Sequence, residues 1–318
     1  MSRPREITGP VLVLVGPTAI GKTALALEIA DRFGCEIISV DSMQVYRYMD
    51  IGTAKPDAAE LRRVRHHLID IVLPDDPYNA ARFVTDALAA MADIFSRGRI
   101  PLLTGGTGLY LSALTRGLFE AVPVRAGMRD RLRQRLEQEG REALFAELVR
   151  VDPATAKRIH VNDTQRLLRA LEIYHTTGRP WSTLLEQQQQ AQQGVHFSSI
   201  LQICLTCGRE RLYRRIGERA GQMLERGLVE EVEGLLTMGF SAELPSMQAI
   251  GYRHVNRYLA GEWNLEQTRD ILIRDTRRYA KRQLTWFRKN PELRWCRQQD
   301  GQGIFDHIDR FINSATSR

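Results

Sequence analysis

The chain has 318 residues, of which 43% are hydrophobic and 26% charged, and its net charge is +7 with a pI of about 9.4. This composition excludes a disordered or fibrous protein and is typical of a globular chain with more than one domain. Four cysteines in a chain of this length do not form a disulfide framework, and the start MSRPREITGP lacks the apolar core of a signal peptide. We therefore expect a cytoplasmic protein without a membrane span, whose surplus positive charge suits a polyanionic partner.

The first third of the chain alternates between strands and helices. The run VLVLV predicts a buried strand, followed by a helix KTALALEIADRF and a second buried strand EIISVDSM that ends in Asp41 and Ser42. A helix over 79–97 precedes a third strand, IPLLTGG, and a second glycine-rich corner, GGTGLY. This alternation predicts an α/β fold with a parallel sheet flanked by helices.

The pattern changes near residue 120. Three helical segments follow without an intervening strand, and a glutamine-rich stretch, LEQQQQAQQG, predicts an exposed loop over 185–194. We therefore divide the chain into a core (1–119), an all-helical insertion (120–195) and a second core part (196–318). In the last part HFSSILQICLTC returns to the sheet, arginine-rich helices run to about residue 290, and LRWC predicts an edge strand. We expect Cys204 and Cys207 to be buried thiols, because no second ligand pair follows them.

A phosphate-binding loop follows the first strand. Residues 16–23 read GPTAIGKT, the G-x-x-x-x-G-K-T pattern in which backbone amides and the next helix N-terminus surround a phosphate. Lys22 adds a positive charge, and the hydroxyl of Thr23 is placed to ligate Mg²⁺. The strand before it and the helix after it make a chance match improbable. Nucleotide phosphoryl transfer is the usual chemistry of such a loop.

Asp41 is the one obvious carboxylate at the carboxyl edge of the predicted sheet, because IPLLTGG carries no acid. Three roles are open to it. It could ligate Mg²⁺, act as a general base, or serve as an ordinary turn or helix-capping aspartate.

Positive charge is concentrated near the C-terminus. Residues 269–297 contain ten lysines and arginines and three acids, so this segment carries a net charge equal to that of the whole chain. Tyr279, Trp286 and Phe287 lie among them, which favours a nucleic-acid surface over a solvated helix with core-facing aromatics. Arg215 and Arg219 share a helical face, where they could clamp pyrophosphate or simply face solvent.

Seven segments in order along the chain resemble the bacterial tRNA dimethylallyltransferases, also called tRNA isopentenyltransferases. They are GPTAIGKT, ISVDSMQVYRYMDIGTAKP, HHLID, IPLLTGGTGLY, NDTQRLLRALE, QAIGYR and KRQLTWFR. The resemblance implies a P-loop-type fold and transfer of a dimethylallyl group from dimethylallyl diphosphate to N6 of the adenosine 3′ of the anticodon (position 37). It also implies tRNAs that read codons beginning with U, release of pyrophosphate, and Mg²⁺.

The resemblance also implies site residues. Asp41 matches the general base, and Thr18 and Arg219 match further catalytic residues. The diphosphate would be held by Arg219 and by the loop residues Gly16, Pro17, Thr18, Ala19, Ile20, Gly21, Lys22 and Thr23, with Thr23 as the Mg²⁺ ligand. Contacts with tRNA are implied for Asp41, Ser42, Met43, Gln44, Thr107, Arg129, Gln165, Arg166, Leu167, Leu168, Arg169, Gln248, Ala249, Ile250, Gly251, Tyr252, Arg253, Lys281, Arg282, Gln283, Trp286 and Arg288.

Two alternatives remain on the residues alone. The first is a P-loop kinase or NTPase that acts on or with RNA, and the second is an RNA-binding module with an inactive loop. We expect a monomer.

Overall fold

The computed structural model describes residues 6–117, 127–190 and 195–316, which belong to two compact units. One unit comprises Arg5–Thr115 and His196–Arg318, and the other comprises Arg116–Val195. The predicted boundary at 119 and 120 lies outside the described residues. Each unit is considered separately below.

Within the described residues of the first unit, six strands form one parallel sheet. The strands are Glu6–Val15 (β1), Cys35–Val40 (β2), His66–His67 (β3), Ile100–Gly105 (β4), His196–Thr206 (β5) and Arg294–Arg297 (β6). Their order is β3-β2-β4-β1-β5-β6, and every pairing is parallel. The predicted α/β class is therefore confirmed, and LRWC forms an edge strand as expected.

The helices, in chain order, complete both units. They are Lys22–Phe33 (α1), Ala58–Arg63 (α2), Ala80–Ser96 (α3), Gly108–Arg116 (α4), Met128–Val151 (α5), Pro153–Arg158 (α6), Thr164–Thr177 (α7), Trp181–Gln190 (α8), Arg209–Glu225 (α9), Leu228–Thr237 (α10), Tyr252–Leu259 (α11), Leu265–Phe287 (α12) and Gly301–Thr316 (α13).

β1 is the centre of the sheet core. Residues Val11–Val15 are at most 2% exposed, because β4 and β5 pair with its two edges and helices cover its faces. A strand buried in this way needs no polar alternation, which is why VLVLV reads as a continuous apolar run. Leu12 and Leu14 belong to one cluster with Ile29 of α1 and Ile304 of α13.

Sequence reasoning missed the C-terminal helix α13, the short strand β3 and the helices α2 and α4. α13 begins inside the polar stretch QQDGQG, and its buried Ile304 and Ile308 belong to the sheet core. The second predicted strand was two to three residues too long, since β2 ends at Val40 and Asp41 is the first residue beyond it.

The helical unit contains α5 to α8, and within its described residues the regular structure is all helical, as predicted. α5 is interrupted at Gly140, whose φ of 82° separates the two predicted helices. Leu144, Leu148, Leu167 and Leu171 are fully buried in its core. The predicted loop over 185–194 is wrong for 185–190, which belong to α8, because glutamine is a good helix former; residues 191–194 lie outside the described part of the chain.

Candidate active site

The carboxyl edge of the sheet brings the predicted donor-site residues together. Gly105 at the end of β4 is paired with Val15 of β1 and with Val40 of β2. Gly16 is the first residue after β1 and Asp41 is the first residue after β2. Both therefore leave the sheet at the same edge. In parallel sheets this edge is where ligands bind.

The phosphate loop wraps tightly over the start of α1. Ala19 and Gly21 both have positive φ, at 62° and 99°. A Cβ added at Gly21 would lie 2.9 Å from a guanidinium nitrogen of Arg215, which could move aside, so it is the positive φ that requires glycine here. The ammonium group of Lys22 donates to the carbonyls of Gly16 and Pro17, at 3.0 and 2.9 Å.

Two further cations face this loop. Arg215 and Arg219 of α9 line a cavity of about 350 Å³ together with Lys22 and Thr23. Burial, together with the charge of Arg219, lowers the pKa of Lys22 to about 8, and burial also lowers the pKa of Arg219. Half-buried cations that repel one another favour an anion between them, and both arginines line this cavity instead of lying on open surface.

Asp41 divides its two oxygens between structure and cavity. Its Oδ1 accepts from the backbone amides of Met43 at 2.9 Å and Gln44 at 3.4 Å, as a turn aspartate does. Its Oδ2 makes no hydrogen bond with any residue that the structure describes. One side chain thus serves the turn and presents a free carboxylate oxygen.

The residues after Asp41 are held by side chains from other segments. Thr107 accepts from the backbone amide of Ser42 at 3.1 Å. In the side-chain amide of Gln44, Oε1 accepts from the Ser39 hydroxyl at 2.9 Å and Nε2 donates to the Ala54 carbonyl at 3.2 Å. Ser42 and Thr107, both predicted to contact tRNA, therefore lie in contact with each other.

Glu231 and Lys55 fix the segment that follows, and sequence reasoning missed both. The Glu231 carboxylate accepts from the backbone amides of Asp50, Ile51 and Gly52 and from the Tyr252 hydroxyl, all at 2.6–3.1 Å. The buried ammonium of Lys55 pairs with Asp50 and Asp70. The block DSMQVYRYMDIGTAKP is thus held by hydrogen bonds to Glu231 of α10, which also bonds Tyr252 of α11. Nothing in its own residue pattern predicts these contacts.

A second cavity of about 330 Å³ lies next to the first. Its walls include the apolar residues Met43, Ile216, Met223, Ile250 and Leu272. Both cavities are lined by Thr18, Asp41, Thr53, Arg219 and Tyr279. The polar, cation-lined cavity and the more apolar one therefore meet at the three predicted catalytic residues.

The corner QAIGYR forms one wall of the second cavity. Gln248, Ala249, Ile250, Tyr252 and Arg253 line it, whereas Gly251 is buried. His254 lies behind this corner, fully buried. Its Nδ1 accepts from the Gly251 amide at 3.2 Å, so its Nε2 carries the proton and donates to Asp275 at 3.3 Å.

His254 makes the corner sensitive to acid. Burial and the charge of Arg253 lower its pKa to about 4, against the hydrogen bond to Asp275. A folded-state pKa below the unfolded value of about 6.5 means that this contribution is present above pH 6.5 and is lost as the pH falls through 4. We expect the free energy of unfolding to fall by on the order of 3 kcal/mol over this window because of His254.

Urea unfolding at pH 7 and pH 4.5 measures this loss. His254→Gln is the control, because glutamine can accept from Gly251 and donate to Asp275 without titrating. The same pH dependence in both proteins would contradict the assignment to His254.

α12 carries predicted site residues in both interior and exposed positions. Gln283 is 5% exposed and faces the interior, while Lys281, Arg282, Trp286 and Arg288 are exposed. Arg282 lines the second cavity. Tyr279 lines both cavities, and burial and then the charge of Asp41 raise its pKa. Phe287 is 1% exposed, so the core-facing interpretation holds for this aromatic residue.

The outer face of α12 forms a basic groove with α9. Its lining residues are Tyr213, Asp270, Ile273, Arg274, Arg277, Arg278 and Lys281. The guanidinium carbons of Arg209 and Arg277 lie 5.1 and 5.0 Å from the centroid of the Tyr213 ring. The ring holds two cations in place while their N–H groups remain available to an anion.

The helical unit contains the remaining predicted tRNA residues. Arg129 and Arg169 both pair with the buried carboxylate of Glu172, at 3.2 and 2.9 Å. Arg166 pairs with Asp163, and Gln165 is exposed. Leu167 is fully buried and Leu168 is half-buried, so a contact by Leu167 would have to use its backbone.

The cysteines carry no site. Cys35, Cys204 and Cys296 are buried free thiols, and burial raises the pKa of Cys204 to about 12, whereas Cys207 is half-buried rather than buried as predicted. Among the described residues, no three His, Cys, Asp or Glu side chains are grouped to hold a metal ion. In the same residues no helix is both long and apolar enough to cross a membrane.

A parallel sheet with a G-x-x-x-x-G-K-T loop at its carboxyl edge, faced by half-buried cations, defines a P-loop protein with a cavity suited to a phosphorylated ligand. Comparison with known proteins narrows this class. The model of the family "IPP transferase" matches residues 44–290. A tRNA dimethylallyltransferase of Desulfotalea psychrophila is 51% identical over 98% of this chain and 99% of its own.

Solved structures agree. The full-length tRNA isopentenylpyrophosphate transferase from Bacillus halodurans has a TM-score of 0.71 at 38% identity, covering 97% of this chain and 98% of its own. A eukaryotic dimethylallyltransferase described as acting on tRNA has a TM-score of 0.74 at 30% identity, covering 93% of this chain and 74% of its own. The chain belongs to the IPP transferase family.

Proposed function

We propose that the chain transfers a dimethylallyl group from dimethylallyl diphosphate to N6 of the adenosine 3′-adjacent to the anticodon (position 37) of tRNAs that read U-initial codons. One observation carries this proposal beyond family membership. A cation-lined cavity and an apolar one meet at Thr18, Asp41 and Arg219, as a transfer between two substrates requires. The tRNA substrate also implies that the chain acts in the cytoplasm.

The donor occupies the cation-lined cavity. Its diphosphate lies on the amides of the loop from Gly16 to Thr23, and Lys22, Arg215 and Arg219 balance its charge. As the bond between the prenyl carbon and oxygen breaks, negative charge grows on the leaving pyrophosphate. Fixed cations in a buried site stabilise that charge without reorganisation.

Mg²⁺ fits this cavity. The hydroxyl of Thr23 at the start of α1 is a hard oxygen donor beside the phosphate loop, and Mg²⁺ usually takes few protein ligands besides phosphate oxygens and water. When bound, Mg²⁺ would neutralise part of the diphosphate charge.

The acceptor adenine enters the second cavity. A base stacked within the anticodon loop cannot reach the prenyl carbon of a donor bound inside the protein, so the base must leave the stack. The apolar walls cover the base, and the free oxygen of Asp41 accepts a hydrogen bond from N6. The new bond joins N6 to the prenyl carbon, pyrophosphate takes the electron pair of the broken bond, and Asp41 takes the N6 proton.

The experiment combines the protein with unmodified tRNA and either labelled dimethylallyl diphosphate or labelled ATP. Mass spectrometry of the tRNA nucleosides should show an adenosine heavier by one dimethylallyl group. Phosphate transfer or ATP hydrolysis without prenylation would support a kinase or NTPase. Binding of tRNA with neither donor consumed would support an RNA-binding module.

The basic groove on α9 and α12 predicts a phosphate contact with tRNA. We expect Arg277→Ala to weaken tRNA binding and to reduce the slope of log binding constant against log salt by about one unit. Filter binding across a salt series measures both. Arg32→Ala is a matched control, since Arg32 also stacks on aromatic rings, those of Phe33 and Phe305, outside the groove. An unchanged slope for Arg277→Ala would contradict the contact.

A further inference from the structure

The side-chain amide of Gln283 joins the phosphate loop to the glycine-rich corner after β4. Its Oε1 accepts from the backbone amide of Thr18 at 2.9 Å, and its Nε2 donates to the carbonyl of Gly106 at 2.9 Å. The backbone partners fix the orientation of the amide, because an N–H must meet the oxygen and a carbonyl must meet the NH₂ group. Both ends of this buried side chain are therefore used.

The bond to Thr18 removes one amide from the phosphate loop. An amide that donates to Gln283 does not donate to a phosphate, so the remaining loop amides must bind the diphosphate. The same bond sets the backbone direction at Thr18, whose side chain lines both cavities. The position of a predicted catalytic residue thus depends on a side chain from α12.

Gly106 makes room for this bridge. A Cβ added at Gly106 would lie 2.3 Å from Nε2 of Gln283, well inside contact distance. The backbone φ at Gly106 is not positive, so the requirement for glycine there is space for the bridging amide. Gly106 and Gln283, which are far apart in the chain, are therefore both needed for this bridge.

We propose that Gln283 is a positioning residue of the donor site, which orients Thr18 and the phosphate loop, and not a contact of tRNA. The inference rests on the proposed function for the identity of the donor. It departs from the tRNA contact that the family resemblance implies for Gln283, because this side chain is only 5% exposed and both of its polar atoms already bond Thr18 and Gly106.

The test compares donor-side and tRNA-side binding in Gln283→Met. We expect the affinity for inorganic pyrophosphate with Mg²⁺, measured by calorimetry without tRNA, to fall about tenfold. The tRNA affinity should stay within about twofold, since an interior hydrogen bond carries no phosphate contact. In steady-state kinetics the loss should appear in the donor KM and in kcat and not in the tRNA KM.

Gly106→Ala provides an independent route to the same result, because it displaces the amide without changing α12. Matched controls separate these effects from a general loss of packing. Gln202→Met removes another buried amide, which bonds Glu292 and Asn290 outside both cavities. Gly234→Ala adds a methyl group in α10, where nothing lies within 4 Å.

Weaker tRNA binding with unchanged pyrophosphate binding in Gln283→Met would overturn the inference. So would unchanged binding of both, or an equal loss in Gln202→Met. If Gln283→Met does not fold, Gly106→Ala decides by the same criteria. A wild-type protein that binds pyrophosphate but does not prenylate tRNA would refute the proposed function, whereas the pyrophosphate arm still tests Gln283.

Discussion

Asp41→Asn is expected to lower the single-turnover rate of prenyl transfer by about two to four orders of magnitude, the usual contribution of a general base. Asparagine retains an oxygen for the amides of Met43 and Gln44, so the turn should persist. The free oxygen that would accept the N6 proton becomes an amide. Rapid-quench measurement with enzyme in excess over tRNA gives the rate, and filter binding should show tRNA affinity largely intact.

Asp57→Asn is the matched control for Asp41. Its carboxylate also accepts from two backbone amides, those of Ala59 and Glu60, but Asp57 is exposed at the start of α2, outside both cavities. Its rate should equal that of the wild type. A near-normal rate for Asp41→Asn would remove Asp41 from the role of base and leave only its role in the turn.

Arg219→Ala is expected to lower the transfer rate by about 10²- to 10³-fold, as the removal of one fixed stabiliser of developing charge does in other enzymes. Arg219 lines the cation-lined cavity, where a half-buried charge is screened less than in open water. The effect should appear in kcat and in the donor KM, and saturating tRNA should not restore it.

Arg214→Ala tests whether position on α9 alone matters. The Arg214 side chain is 70% exposed and pairs with Glu218 at 3.7 Å, so its removal should change the rate little. Equal losses in both variants would indicate damage to α9 and would exclude a specific role for Arg219 in holding the leaving group.

The sequence predicted those parts of the site whose signals are local. The phosphate loop follows an apolar run, Asp41 follows another, and Arg215 and Arg219 lie four apart on one helix. Each of these patterns is contained in a short stretch. The parallel sheet also follows from the alternation of strands and helices, whereas its strand order is known only from the structure.

Other parts depend on residues far apart in the chain. Gln283 and Thr18 are separated by 265 positions, and Glu231 and Asp50 by 181. The hydrogen-bond partners of a buried polar side chain are brought to it by tertiary packing. No periodic pattern in the sequence predicts such a distant pair. Helix α8 was missed for another reason, because its glutamines favour both exposed loops and helices.

The ties made by Glu231 have an energetic consequence for the proposed acceptor site. The Glu231 carboxylate binds both the backbone of residues 50–52 and the hydroxyl of Tyr252. Gly52 and Tyr252 line the second cavity, so two of its walls are cross-linked before any base enters. A preformed pocket loses little conformational entropy when it is filled. The cost of bringing the adenine in therefore falls on the RNA, as lost stacking. Discrimination among tRNAs then depends in part on how easily the anticodon loop of each releases this base.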